Sequence, residues 1–193
     1  MSQRIADLRR NSDPGLVKRL EKLIAEVVAR LDEGENCDEP ISEINALSGC
    51  SYEAGDFFEL HGWTSEEDAA AIAAMGSPPA FHDLTQEEIV TIIEIIGESD
   101  EPESRYFLEL LEQSFPGSDA SDLIYYPYRE LTDEERAKEL LLRQQLYQAG
   151  GAEAVRARQV SLAREVMANS DASPWSVQWA EGILRDGEAV ARN

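Results

Sequence analysis

The residues best equipped for chemistry in this chain form one short string, Asp122-Leu123-Ile124-Tyr125-Tyr126-Pro127. A carboxylate followed by two adjacent phenols suits recognition better than bond-making. Tyrosine rings bring large, stiff contact area with a hydroxyl handle, which makes them favoured binding hot spots. Asp122 is a good helix cap, and Pro127 disfavours helix at Tyr126 and blocks continuation. Little more than one helical turn fits between them. So short a helix cannot stand on its own stability, because nucleation is costly, and Leu123 and Ile124 must anchor it to a core. Neighbouring side chains on a helix diverge by about 100°, so the two rings cannot both point inward. Glu109, Glu112, Asp119 and Asp122 provide an acidic rim around them. The competing expectation is that both rings pack against neighbouring helices and leave only their hydroxyls in water.

Catalytic chemistry finds less support. Carboxylates are abundant, and a helical bundle can pair them for metal or acid–base work. Di-metal bundle sites use Glu-x-x-His spacing, which is absent here, and His61 and His82 stand apart from obvious co-ligands. Glycine-rich phosphate loops, G-x-S-x-G elbows and H-E-x-x-H pairs do not occur. Cys37 and Cys50 make neither a disulfide framework nor a metal-spaced pair. The expectation is therefore no enzyme, no cofactor, no metal and no small-molecule substrate.

The elements that must position the string are helices. No run alternates apolar and polar residues with β-branched enrichment, whereas helical periodicity recurs throughout. Asp13 and Pro14 open a helix to about Leu31, and a short one covers Ile41 to Leu47. Residues 53–61 read either as helix or as a buried turn. Thr64 with Glu67 reads as a capping box opening a helix to Met75, and Gly76-Ser77-Pro78-Pro79 breaks the chain. Asp83 or Thr85 caps a helix ending at Gly97, and another runs from Glu103 to about Phe115. Beyond the tyrosines, Thr132 to about Gln148 is a long helix stopped by Gly150-Gly151. Two more follow, over Ala152–Ala168 and from Ser173-Pro174 onward.

Charge narrows the partner. The 193 residues hold 39 acids against 17 bases, a net charge of -22, and 42% are hydrophobic, enough for a packed core. Such a surface repels phosphate backbones and anionic lipid and suits a basic protein, whose approach it would steer. Residues 82–148 are the most acidic stretch, with 17 acids and 5 bases, so a steering surface is expected there. The N-terminus, Met1-Ser2-Gln3-Arg4, has no apolar core of a signal peptide, and no stretch reaches the length of a membrane span, which points to the cytoplasm.

The run from Asp83-Leu84-Thr85-Gln86-Glu87-Glu88-Ile89-Val90 to Ile96-Gly97, residues 103–116 and the Ser-Asp-Leu-Ile-Tyr-Tyr-Pro string at 121–127 together resemble the immunity proteins of E-type colicins and S-type pyocins. The 121–127 string matches that family's third-helix motif across all seven residues. Thr132 to Gln148 would be the fourth helix. The resemblance covers about residues 82–148. It implies an all-α chain in which a colicin-immunity-like four-helix domain, one helix very short, is embedded between additional helices. The division it suggests is a helical N-terminal region (1–80), an immunity-like domain (81–149) and a C-terminal helical extension (150–193). The family binds the basic nuclease domain of a bacteriocin, usually an HNH-type DNase, beside its catalytic centre. By this resemblance Tyr125, Tyr126 and Asp122, with Ser121, form the shared anchor, and Arg105, Leu108, Glu109 and Glu112 on the second helix select the toxin. The alternative is an acidic helical adaptor or regulator that turns the same kind of domain to another protein. The flanking segments depart from the family, and they could stabilise the domain, recruit a partner or cover the binding face.

Overall fold

The structure, a computed structural model, describes residues 2–8, 13–58 and 64–190, with side chains as far as residue 185. All regular structure among them is helical: α1 (Gln3–Leu8), α2 (Pro14–Asp32), α3 (Asp38–Ser48), a 3-10 turn (Ala54–Phe57), α4 (Glu66–Met75), α5 (Gln86–Glu98), α6 (Glu101–Ser114), α7 (Ala120–Tyr125), α8 (Asp133–Ala168) and α9 (Pro174–Val190). Among the described residues no helix is long and apolar enough to cross a membrane.

The chain forms two compact units. The first joins residues 1–79 to 95–109, and the second joins 80–94 to 110–193, so α5 and α6 each contribute to both. The expected break at Gly76–Pro79 falls at a unit edge, and residues 150–193 share a unit with 110–149.

In the first unit α2 is the central strut, packing on α3, α4 and the 3-10 turn. Its Leu20, Ile24, Val27 and Val28 recur at helical spacing on one face and are buried with Ile41, Ile44, Phe57, Ala69, Ala70 and Ala73. Asp13 caps α2 through the Gly15 N–H, and Pro14 takes the first helical position. The small alanines of α4 let it lie close to α2. The ambiguous stretch at 53–61 contains the 3-10 turn, which buries Phe57 and exposes Phe58, while Leu60 and His61 lie outside the described residues. The cap of α4 is Ser65 rather than Thr64: the Ser65 hydroxyl accepts from the Asp68 N–H at 3.1 Å. One residue of register separates two equally good capping residues here, and backbone geometry chose the second.

In the second unit α8 packs on α9 and on α7. Thr132 and Glu135 form the expected reciprocal box at the start of α8, and Thr85 with Glu88 forms another before α5. The two helices expected around Gly150-Gly151 run on from one another, interrupted only by Gly151 at φ +65°, a conformation that glycine adopts without steric cost. Ser173 caps α9 by accepting from the Ser176 N–H at 3.1 Å.

Candidate functional site

The site is built from the turn that precedes α7. Gly117 has φ +73°, and a β-carbon there would lie 2.4 Å from the Tyr147 ring, so only glycine fits. Ser118 is buried, and its carbonyl accepts from the Arg143 guanidinium at 2.8 Å. Arg143 is only 3% exposed; it donates to Glu139 at 3.3 Å, and Glu139 also accepts from Arg158 at 3.0 Å. The bond to Glu139 raises the pKa of Arg158 above the ordinary arginine value. A buried carboxylate flanked by two guanidiniums, with a backbone carbonyl as a further acceptor, is how a low-dielectric interior tolerates charge. Here the network fastens the 116–119 turn to α8.

The helix itself starts earlier than expected. Asp119, not Asp122, is the capping position; it sits in the left-handed region (φ +52°), which Asp tolerates better than most residues, and its carboxylate accepts from Gln159 on α8 at 2.8 Å. The early start lets Ala120 as well as Leu123 reach the core, each 1% exposed. Ile124 is only half-buried. Asp122 therefore falls in the first turn, with its carbonyl accepting the Tyr126 N–H at 2.8 Å.

With one face pinned down, the other carries the phenols outward. Tyr125 is 51% and Tyr126 59% exposed, with ring centroids 6.5 Å apart. Among the described residues, then, both rings stay half or more exposed rather than packing inward. Glu112, Ser121 and Asp122 line a shallow depression of about 270 Å³ with Asp119, so acid groups from α6 and α7 gather beside the rings' helix. Past Pro127 the chain dives inward. Tyr128 is buried, its ring centroid 5.5 Å from that of Trp179 on α9. The Arg129 guanidinium lies 5.7 Å from the Tyr128 ring centroid and bonds Glu135 at 2.8 Å. Burial first, and the Glu139 charge second, push the Tyr128 phenol above its ordinary pKa. The Arg129 bond holds the Glu135 carboxyl below the usual carboxylate range.

Five of the eight expected partner-binding residues thus lie in the second unit: Glu112, Ser121, Asp122, Tyr125 and Tyr126. The other three, Arg105, Leu108 and Glu109, belong to the first. There Arg105 and Glu109 line a cavity of about 330 Å³ with Cys50, Tyr52, Asp56 and Ser77. Asn45 clamps that cavity's rim, bonding both the N–H and the carbonyl of Tyr52. Burial, and then Cys50, raise the Tyr52 phenol's pKa.

Sequence reasoning missed Trp175. It is 45% exposed, its ring lies 6.0 Å from that of Tyr126, and its indole N–H donates to the Pro127 carbonyl at 3.1 Å. Its position next to Pro174 at the helix start was the available signal, since a first-turn residue has fewer neighbours along its own helix. Cys37 and Cys50 are both free thiols, and among the described residues no group of three or more metal-ligating side chains gathers. Compared with protein-family models, with curated proteins and with solved structures, the chain matches none.

Proposed function

We propose that this chain is a non-enzymatic bacteriocin immunity protein, which binds the basic nuclease domain of a toxin, of the HNH DNase type, and so shields the cell that makes it. In this reading α5, α6, α7 and the first part of α8 play the parts of the family's four helices, and the protein works in the cytoplasm. The observation that carries the reading is the pair of exposed phenols on a six-residue helix whose opposite face is buried, beside Glu112, Asp119 and Asp122. Exposed aromatic area on a rigid support costs little ordering entropy on binding, and the carboxylates attract a surface shaped to hold DNA. Once bound, an acidic protein repels phosphates from the nuclease.

The test begins at the neighbouring genes, where this reading expects a toxin ending in a basic nuclease domain, and continues with co-expression of the two. Cells carrying this chain survive, and the two proteins co-purify. Death of the co-expressing cells, with no complex recovered, refutes the proposal. Survival without any complex would favour the adaptor reading, in which the same acidic face serves a different protein.

A further inference from the structure

The helix α9 lies outside the stretch that resembles immunity proteins, yet it borders the phenol pair. It packs along α8, and the ring of its Trp179 rests on buried Tyr128. One turn earlier, Trp175 is left half in water. Its single polar group is already used, donated to the Pro127 carbonyl, so what it offers outward is ring surface alone. Tyr125, Tyr126 and Trp175 form a continuous run, with centroid spacings of 6.5 and 6.0 Å. Three large aromatics left exposed side by side, each held by a rigid element, are what a binding surface needs and a solvent surface avoids.

We infer that Trp175 is a third anchor of the partner-binding surface, so that α9 is part of the interface, and that the occupant is a basic protein face whose arginine and lysine side chains lie along the three rings. The inference rests on the role proposed for α7. Charge complementarity selects the occupant. Glu112, Asp119 and Asp122 stand on the α6–α7 side of the rings, whereas residues 149–193 are nearly neutral, with 6 acids and 5 bases. A long cationic side chain can lay its stem or guanidinium plane on aromatic rings while its charge reaches a carboxylate. The Trp175–Pro127 bond also ties α9 to the end of α7, so indole and phenols present as one body.

The full chain and its variants are titrated calorimetrically against the basic nuclease domain of the toxin that the proposed function expects beside its gene. Trp175→Ala weakens binding about tenfold or more, as loss of a hot-spot ring does. Trp175→Phe keeps a ring but loses the indole donor, and stays within about threefold of wild type, the scale of a single neutral hydrogen bond. Trp175→Lys binds more weakly than Trp175→Glu, because the opposing face is positive. If Trp175→Ala and Trp175→Lys bind like wild type while Tyr126→Ala is weakened, the inference falls and the reading of α7 stands. If Trp175→Phe loses as much as Trp175→Ala, the residue acts only by holding Pro127, and the inference again falls. If the wild-type chain does not bind the nuclease domain at all, both fall together.

Discussion

Gly117 shows how far upstream of a binding surface its construction begins. Its positive φ and the Tyr147 ring pressed against it leave no room for a side chain, and the turn it makes delivers Ala120 and Leu123 to the core. Gly117→Ala should destabilise the protein by about 1–3 kcal/mol, the usual range for backbone strain with overpacking, measured by urea unfolding. At the surface, Tyr125→Ala and Tyr126→Ala should each weaken partner binding by more than about 2 kcal/mol while leaving unfolding midpoints nearly unchanged, since truncating an exposed ring opens no cavity. Unchanged affinity in either variant would argue against the anchor. Beneath them, Tyr128 has its phenol pKa raised from 10.0, chiefly by burial. Its neutral form is favoured in the folded state. Stability from this source is complete below about pH 10, where the unfolded phenol is also neutral, and falls as pH rises through the folded value. Tyr52 acts in the same direction. Tyr128→Phe should therefore flatten part of the alkaline loss in thermal midpoint above about pH 10.

A helix of six residues has too few internal hydrogen bonds to persist alone, so α7 takes its rigidity from α8. The connection runs through Arg143, which spans from Glu139 to the Ser118 carbonyl, and through Gln159, which bonds Asp119. Arg143→Ala leaves Glu139 buried with one partner fewer and the Ser118 carbonyl without this donor. A loss of about 3 kcal/mol in unfolding free energy is expected, the size typical of breaking a buried ion pair from one side. A loss below about 1 kcal/mol would mean that water enters and replaces the guanidinium. Partner affinity should fall along with stability in this variant, in contrast to the tyrosine variants, where affinity falls alone. The capping box at Thr132 and Glu135 sets where α8 begins, and so the height at which Arg143 meets the turn.

Across the whole molecule, charge outweighs every other surface property. A net charge of -22 makes association with a cationic partner fast at low salt and slow at high salt, because the Debye length shrinks from about 30 Å at 0.01 M to about 8 Å at 0.15 M. Stopped-flow association rates should drop steeply over that range, and Glu112→Gln should reduce both the rate and its salt dependence. A salt-insensitive rate would contradict steering. Each of the two units has its own buried core, centred on α2 in the first and on α8 in the second. The acidic depression and the aromatic run belong entirely to the second.

Helical class, most helix positions and the caps at Asp13, Thr132 and Ser173 were legible in the residues themselves, with Thr85 one of two candidates, because apolar spacing and capping chemistry are local and leave a mark within a few positions. So was the short tyrosine helix, since Pro127 limits it whatever surrounds it. Its start was not: Asp119 holds the cap position in the left-handed region without a side-chain capping bond, and its carboxylate instead accepts from Gln159, forty residues away. The exposure of Trp175 and the Glu139–Arg143–Arg158 network were equally out of reach, as each depends on partners 19 to 48 residues distant. The chain order dictates which residues can cap, stop or line a helix. Which of them are buried, and which face water together, is decided only when separate helices pack, because burial and long-range charge are properties of neighbours in space.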